Sequence, residues 1–206
     1  MSESASATSL QPPLSAALPD AGHHPGLLGR VGMACLIAVE SSFLLTFAVI
    51  YLYYIGKSIN GPYPEDVLEL PVVGSIVLLG SSGTIHFAVA TLRRAKYAAF
   101  LMWWGITFVA GATFIGLTLH EWDQLIHVHH LTMHTNVFGS TYYALVGAHA
   151  FHVVVGLVLL GIVWLLGFGK RIRHNHAGRV DLVAWYWHFV DVVWVVVFLV
   201  VYVAGR

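Results

Sequence analysis

Five apolar stretches, each near the roughly 20 residues that a bilayer-spanning helix needs, constrain this chain more than any other feature. In hydrocarbon no water satisfies a backbone N–H or C=O, so each stretch must close its hydrogen bonds within itself, as a helix. The stretches lie at about 30–55, 70–92, 97–119, 140–168 and 182–204, with ends good to a few residues. The fourth is long enough to tilt or to project beyond the bilayer. Composition agrees, with 58% hydrophobic and 10% charged residues in a chain of 206. A mean hydropathy of +0.76 lies outside the range of ordinary soluble domains. The expected fold is all-α, an integral membrane bundle of five transmembrane helices within 26–206. Residues 1–25 form a Ser/Ala/Pro-rich tail with nothing to bury, expected to be disordered. No Lys or Arg precedes Arg30 and no apolar h-region is present, so the tail does not read as a signal peptide.

Charge suggests an orientation. If the five spans alternate, Arg30, Arg93, Arg94, Lys96, Lys170, Arg171, Arg173 and Arg179 share one side. Lys57 and Arg206 share the other with Glu65, Asp66, Glu69, Glu121 and Asp123. The positive-inside rule then puts the N-terminus in the cytoplasm and the C-terminus outside. The breaks carry turn chemistry, as in Asn60-Gly61-Pro62, Pro64, Gly167 and Gly169. Small residues (Gly80-Ser81-Ser82-Gly83, Gly105, Gly111, Gly116, Gly147 and Gly156) allow close helix approach, as in many membrane bundles. The formal net charge of zero implies no nucleic-acid partner. The single cysteine, Cys35, excludes a disulfide framework and reads as a small buried hydrophobe.

Intramembrane polar residues are functional candidates, because hydrocarbon leaves them dependent on protein partners. Glu40 falls near the middle of the first span, and Asp191 at similar depth in the fifth. Glu40 is open to two readings, a proton relay or hydrated site, and a carboxyl that hydrogen-bonds neighbouring helices. His149 and His152 lie deep in the fourth span, and Asp181, Trp185, His188 and Asp191 form one stripe of the fifth. His86 and His188, at equal depth on different helices, meet the depth condition for clamping a b-type haem, although Asp191 stands ready as a partner for His188. His120, His127, His129, His130 and His134, near Glu121 and Asp123, invite an external Zn or Cu site, but their spacing matches no definite metal motif. Nothing resembles a P-loop, a nucleophile elbow or a dinucleotide fingerprint.

The block Trp185-Tyr186-Trp187-His188-Phe189-Val190-Asp191-Val192-Val193-Trp194 resembles the C-terminal helix of subunit III of the haem–copper terminal oxidases. Phe138-Gly139-Ser140-Thr141-Tyr142-Tyr143 is similar to that family's Gly-Ser-Thr-aromatic entrance to its penultimate helix, and Gly147-Ala148-His149-Ala150-Phe151-His152-Val153 to its paired-histidine motif. Asp181 stands where the family has an acidic residue, Glu40 matches its buried glutamate, His86 a helical histidine, and Glu121-Trp122 its Glu-aromatic pair. The likeness spans about residues 30–206, without the first two helices of the seven-helix, mitochondrial-type members. It looks like the five-helix bacterial form, and the lipid-filled cleft of the long form does not carry over. Asn136 replaces an acidic residue common before the Gly-Ser-Thr motif.

The resemblance implies an accessory role in aerobic respiratory electron transport, in the bacterial plasma membrane. It implies packing beside a catalytic subunit I and a subunit II that hold the haem and copper, with no metal, cofactor or redox centre in this chain. Bound phospholipid, support of proton uptake and membership of a respiratory supercomplex belong to the same expectation. Glu40, His149 and His152 would organise the bundle and its face toward the catalytic subunit, and His188 with Asp191 would lock the last helix. The aromatic block looks more like the branch that oxidises cytochrome c. A quinol oxidase subunit III, an accessory subunit of a nitric oxide reductase and a self-standing b-type haem protein are the alternatives.

Overall fold

The computed structural model describes residues 25–57, 68, 70–169, 171–172 and 174–205. The expected tail over 1–24, the Asn60-Gly61-Pro62 turn with Pro64, Glu65 and Asp66, and Glu69, Lys170, Arg173 and Arg206 lie outside the described residues. Among the described residues five long helices carry the fold: α1 (Pro25–Tyr54), α2 (Val72–Arg93), α3 (Tyr97–His127), α4 (Val137–Phe168) and α5 (Ala177–Phe198). A 3₁₀ turn, His174–His176, precedes α5, which runs on as a π turn over Leu199–Val203. All five are long and apolar enough to cross a membrane.

Three helices outrun their apolar stretches, α1 by starting at Pro25 rather than near 30. Polar residues do not stop α3 at 119, and it continues to His127 because its last turns still have inward partners. Leu125 is buried there, and the Glu121 carboxylate accepts hydrogen bonds from two tyrosines. α5 starts at Ala177 rather than near 182, with Ala177 and Val180 buried and Asp181 held by Arg93. The start of α4 is set by Asn136, whose side-chain oxygen accepts the Gly139 N–H at 2.7 Å. An acidic residue would cap with the same oxygen, so the exchange to asparagine keeps the helix start intact.

Contacts between helix ends establish the alternation. Arg93, ending α2, meets Asp181, near the start of α5, and Arg30 of α1 lies over the Trp185 ring at 6.0 Å. Trp164 of α4 donates to the Leu101 carbonyl near the start of α3. At the opposite end Tyr51 packs on Phe138, and Tyr202 reaches Glu121. Arg30, Arg93, Arg94, Lys96, Arg171 and Arg179 therefore gather at one end of the bundle.

α5 is the central helix. Within its spanning window 50% of the residues are buried inside the bundle, against 11% for α1, which packs on α4 and α5. α1 turns Leu36, Val39 and Phe43 outward, and Cys35 with them, so the cysteine is not the buried residue its apolar setting suggests. Lipid tails are as apolar as these side chains, so packing and interhelical hydrogen bonds must hold the helices together. Indole N–H groups supply several of those bonds. Trp104 donates to the Leu160 carbonyl at 2.9 Å, Trp187 to Ser81 at 2.8 Å and Trp194 to Ser75 at 3.0 Å. Thr84 and Thr107 join α2 to α3 through hydroxyls 2.7 Å apart.

Candidate functional site

The polar candidate residues sort into three clusters. In the first, Glu40 of α1 meets His152 of α4, with Oε2 and Nε2 3.0 Å apart. His152 Nδ1 donates to the Ala148 carbonyl at 2.6 Å, one turn earlier on the same helix. A carbonyl can only accept, so Nδ1 carries a hydrogen and the Glu40–His152 contact shares one further proton. The pair is then either a neutral acid and imidazole or a carboxylate and imidazolium. The Tyr186 hydroxyl donates to the His152 carbonyl at 3.3 Å and ties α5 to the same place.

His149, one turn before His152, does different work. It is fully buried, stacked on Trp194 with ring centroids 5.1 Å apart, and Phe114 meets it edge-on. Neither ring nitrogen has a hydrogen-bond partner among the described residues. The two histidines therefore face different neighbours, one a carboxyl group and the other an aromatic stack.

The second cluster joins α2 and α5. His188 and Asp191 do not lock each other directly, as the sequence suggests, but meet through Ser82 of α2. The Ser82 hydroxyl lies 3.0 Å from His188 Nδ1 and donates to Asp191 Oδ2. Both side chains lean toward α2, where a hydroxyl can accept one bond while donating another. The other Asp191 oxygen, Oδ1, is buried without a partner among the described residues. Toward the basic end this cluster meets a groove of about 520 Å³, lined by His86, Arg93, Arg94, Asp181, Trp185 and His188 among others. His86 and His188, the pair considered for haem, thus do line one groove, with His188 Nδ1 engaged by Ser82. Arg93 and Asp181 form an ion pair of 3.0 Å at its rim.

The third cluster lies at the far end. Tyr202 and Tyr142 both donate to Glu121 Oε1, at 2.7 and 3.2 Å, linking α3, α4 and the π turn after α5. The histidine-rich segment beyond it forms a local pair, His127 with Asp123 at 2.9 Å. Among the described residues no group of three or more His, Cys, Asp or Glu side chains is placed to hold a metal ion.

All nine candidate residues fall in or beside these clusters, but as separate groups rather than as one site. Sequence reasoning passed over Ser82, Tyr142, Tyr202 and Arg93 as partners. The hydroxyl in Gly80-Ser81-Ser82-Gly83 reads as a packing residue, and only its position opposite two polar residues of α5 shows otherwise.

The sequence profile of the family described as cytochrome c oxidase subunit III matches residues 36–206. Cytochrome c oxidase subunit 3 of Synechocystis sp. is 37% identical over 88% of this chain and 78% of its own length. The same subunit of Bacillus sp. strain PS3 is 32% identical over 85% of each chain. The cytochrome bo(3) ubiquinol oxidase subunit 3 of Pseudomonas aeruginosa is 33% identical over 80% of this chain and 78% of its own. With five spanning helices and a profile match over most of its length, the chain belongs to the cytochrome c oxidase subunit III family.

Proposed function

We propose that this chain is the accessory subunit III of a proton-pumping cytochrome c oxidase in a bacterial plasma membrane, with its N-terminus in the cytoplasm. It packs beside the catalytic subunit I and with subunit II, which hold the haem and copper, and carries no redox centre of its own. Its work is to keep the complex stable and proton uptake by the catalytic subunit sustained, with phospholipid bound alongside. One observation carries the reading within the family. The polar groups of the helices pair off across the bundle, Glu40 with His152, Ser82 with His188 and Asp191, and Glu121 with two tyrosines, as fasteners of a scaffold do.

The electron donor is argued from the aromatic block at Trp185–His188, similar to the cytochrome-c-oxidising branch. Relatives named as quinol oxidase subunits keep quinol as the second reading. The test is a reduced-minus-oxidised optical spectrum of the purified native complex and of this chain separated from it, followed by turnover with reduced cytochrome c and with a quinol. Haem bands that stay with the complex and leave the chain colourless, with cytochrome c as the better donor, are expected. A b-type spectrum retained by the separated chain would overturn the accessory reading, and turnover on quinol alone would overturn the choice of donor.

A further inference from the structure

We propose that His188 and Ser82 form a relay that exchanges protons between the groove at the basic end of the bundle and the buried carboxyl of Asp191. The geometry supplies each link. His188 lines the groove, whose charged and imidazole walls suit water. Its Nδ1 faces the Ser82 hydroxyl at 3.0 Å, leaving Nε2 as the nitrogen free of that bond. The same hydroxyl reaches Asp191 Oδ2, while Oδ1 is buried without a partner among the described residues. Asp191 is buried on the central helix, and the Ser82 hydroxyl is the polar group that connects its carboxyl to the groove-lining His188.

The step balances without any other reactant. Before it, the His188 Nδ1–H donates to Ser82 Oγ, and the Ser82 O–H donates to the Asp191 carboxylate. A proton from groove water binds His188 Nε2. The Nδ1 proton passes to Ser82 Oγ as the serine proton passes to Asp191 Oδ2. Afterwards His188 is neutral with its hydrogen on Nε2, and the neutral Asp191 acid donates back to Ser82, which donates to Nδ1. Both bonding patterns use the same heavy-atom contacts, so no helix has to move. The relay needs the hydroxyl, because only a group that accepts and donates at once can pass the proton on.

Arg30 of α1 lies over the Trp185 ring, which lines the groove. From α2, His86, Arg93 and Arg94 share the groove, and on α5 Asp181 is paired with Arg93. From α1 and α4, Glu40 is paired with His152, and His149 is stacked on Trp194. Direct coupling of Asp191 to the groove therefore runs through Ser82.

The proposal is independent of the electron donor and of the accessory reading, because its experiment observes Asp191 and not turnover. Infrared spectra of the purified native complex are recorded as it is moved between H₂O and D₂O at several pH values. A protonated-carboxyl band that shifts on deuteration, and that is missing in Asp191→Asn, is expected. In Ser82→Ala the shift should be lost over the time in which the wild-type complex completes it, and Ser82→Thr, which restores a hydroxyl, should recover it. Exchange of the Asp191 band at the wild-type rate in Ser82→Ala would overturn the relay. So would the absence of any Asp191-dependent band at every pH tested.

Discussion

Trp187 is the side chain whose removal should loosen the bundle most. It is fully buried on the central helix, its N–H donates to Ser81 of α2, and its ring lies between glycines of two other helices. A Cβ added at Gly111 would stand 2.5 Å from Cη2 of the indole, and one at Gly156 would stand 2.9 Å from Cε3 and Cζ3 of the same six-membered ring. Trp187→Ala empties roughly 140 Å³, which at about 24 cal/mol per Å³ costs about 3 kcal/mol if the neighbours do not collapse. The transfer penalty that would add to this in water is small here, because the alternative surroundings are lipid. Loss of the bond to Ser81 adds about 0.6 kcal/mol. Gly111→Ala should cost about 1–3 kcal/mol in the wild type, because the new methyl group would stand 2.5 Å from a fully buried ring. In a Trp187→Ala background the sign should reverse. The methyl then meets only the end of the Leu157 side chain, at 3.0 Å, which can turn toward the space the indole left, and alanine gains up to about 1 kcal/mol of helix propensity over glycine. The assay is loss of helical signal from the detergent-solubilised protein during titration with a denaturing detergent, for all four members of the cycle. A Trp187→Ala cost below about 1 kcal/mol, or a Gly111→Ala cost that is the same in both backgrounds, would refute this packing argument.

The same titration reads two further substitutions. Glu40→Leu leaves His152 Nε2 without its partner and should cost about 1–3 kcal/mol, whereas Glu40→Gln retains a hydrogen bond and should stay close to wild type; equal losses in both would mean that the Glu40 contact contributes through its charge. Asn136→Ala removes the acceptor that caps α4 and should cost about 1 kcal/mol, while Asn136→Asp should be neutral within error.

Much of the fold was legible because the bilayer leaves few options. Each apolar stretch had to be a helix, and all five helices are present. Their ends were less legible. The apolar signal stops at residue 119 in the third stretch, but α3 continues while inward contacts, such as Leu125 and the tyrosines on Glu121, repay the extra turns. Cys35 shows the converse limit, since an apolar neighbourhood in a membrane helix does not say which face turns inward. The candidate residues were legible one by one, because a polar side chain inside an apolar helix is conspicuous. Their partners were not, because serines and tyrosines are unremarkable in sequence.

The sequence by itself determined that this chain crosses a membrane as five helices, that its basic residues gather at one end if the spans alternate, and which polar side chains are placed in hydrocarbon. Those properties depend on residue type and spacing along one helix. The tertiary structure decided that His188 and Asp191 meet through Ser82, that Glu40 answers to His152 and not to His149, and that Trp187 fits between Gly111 and Gly156. Each of these is a contact between helices far apart in the chain. The rotation of one helix against another is set by close packing across the whole bundle, and no local run of residues encodes it.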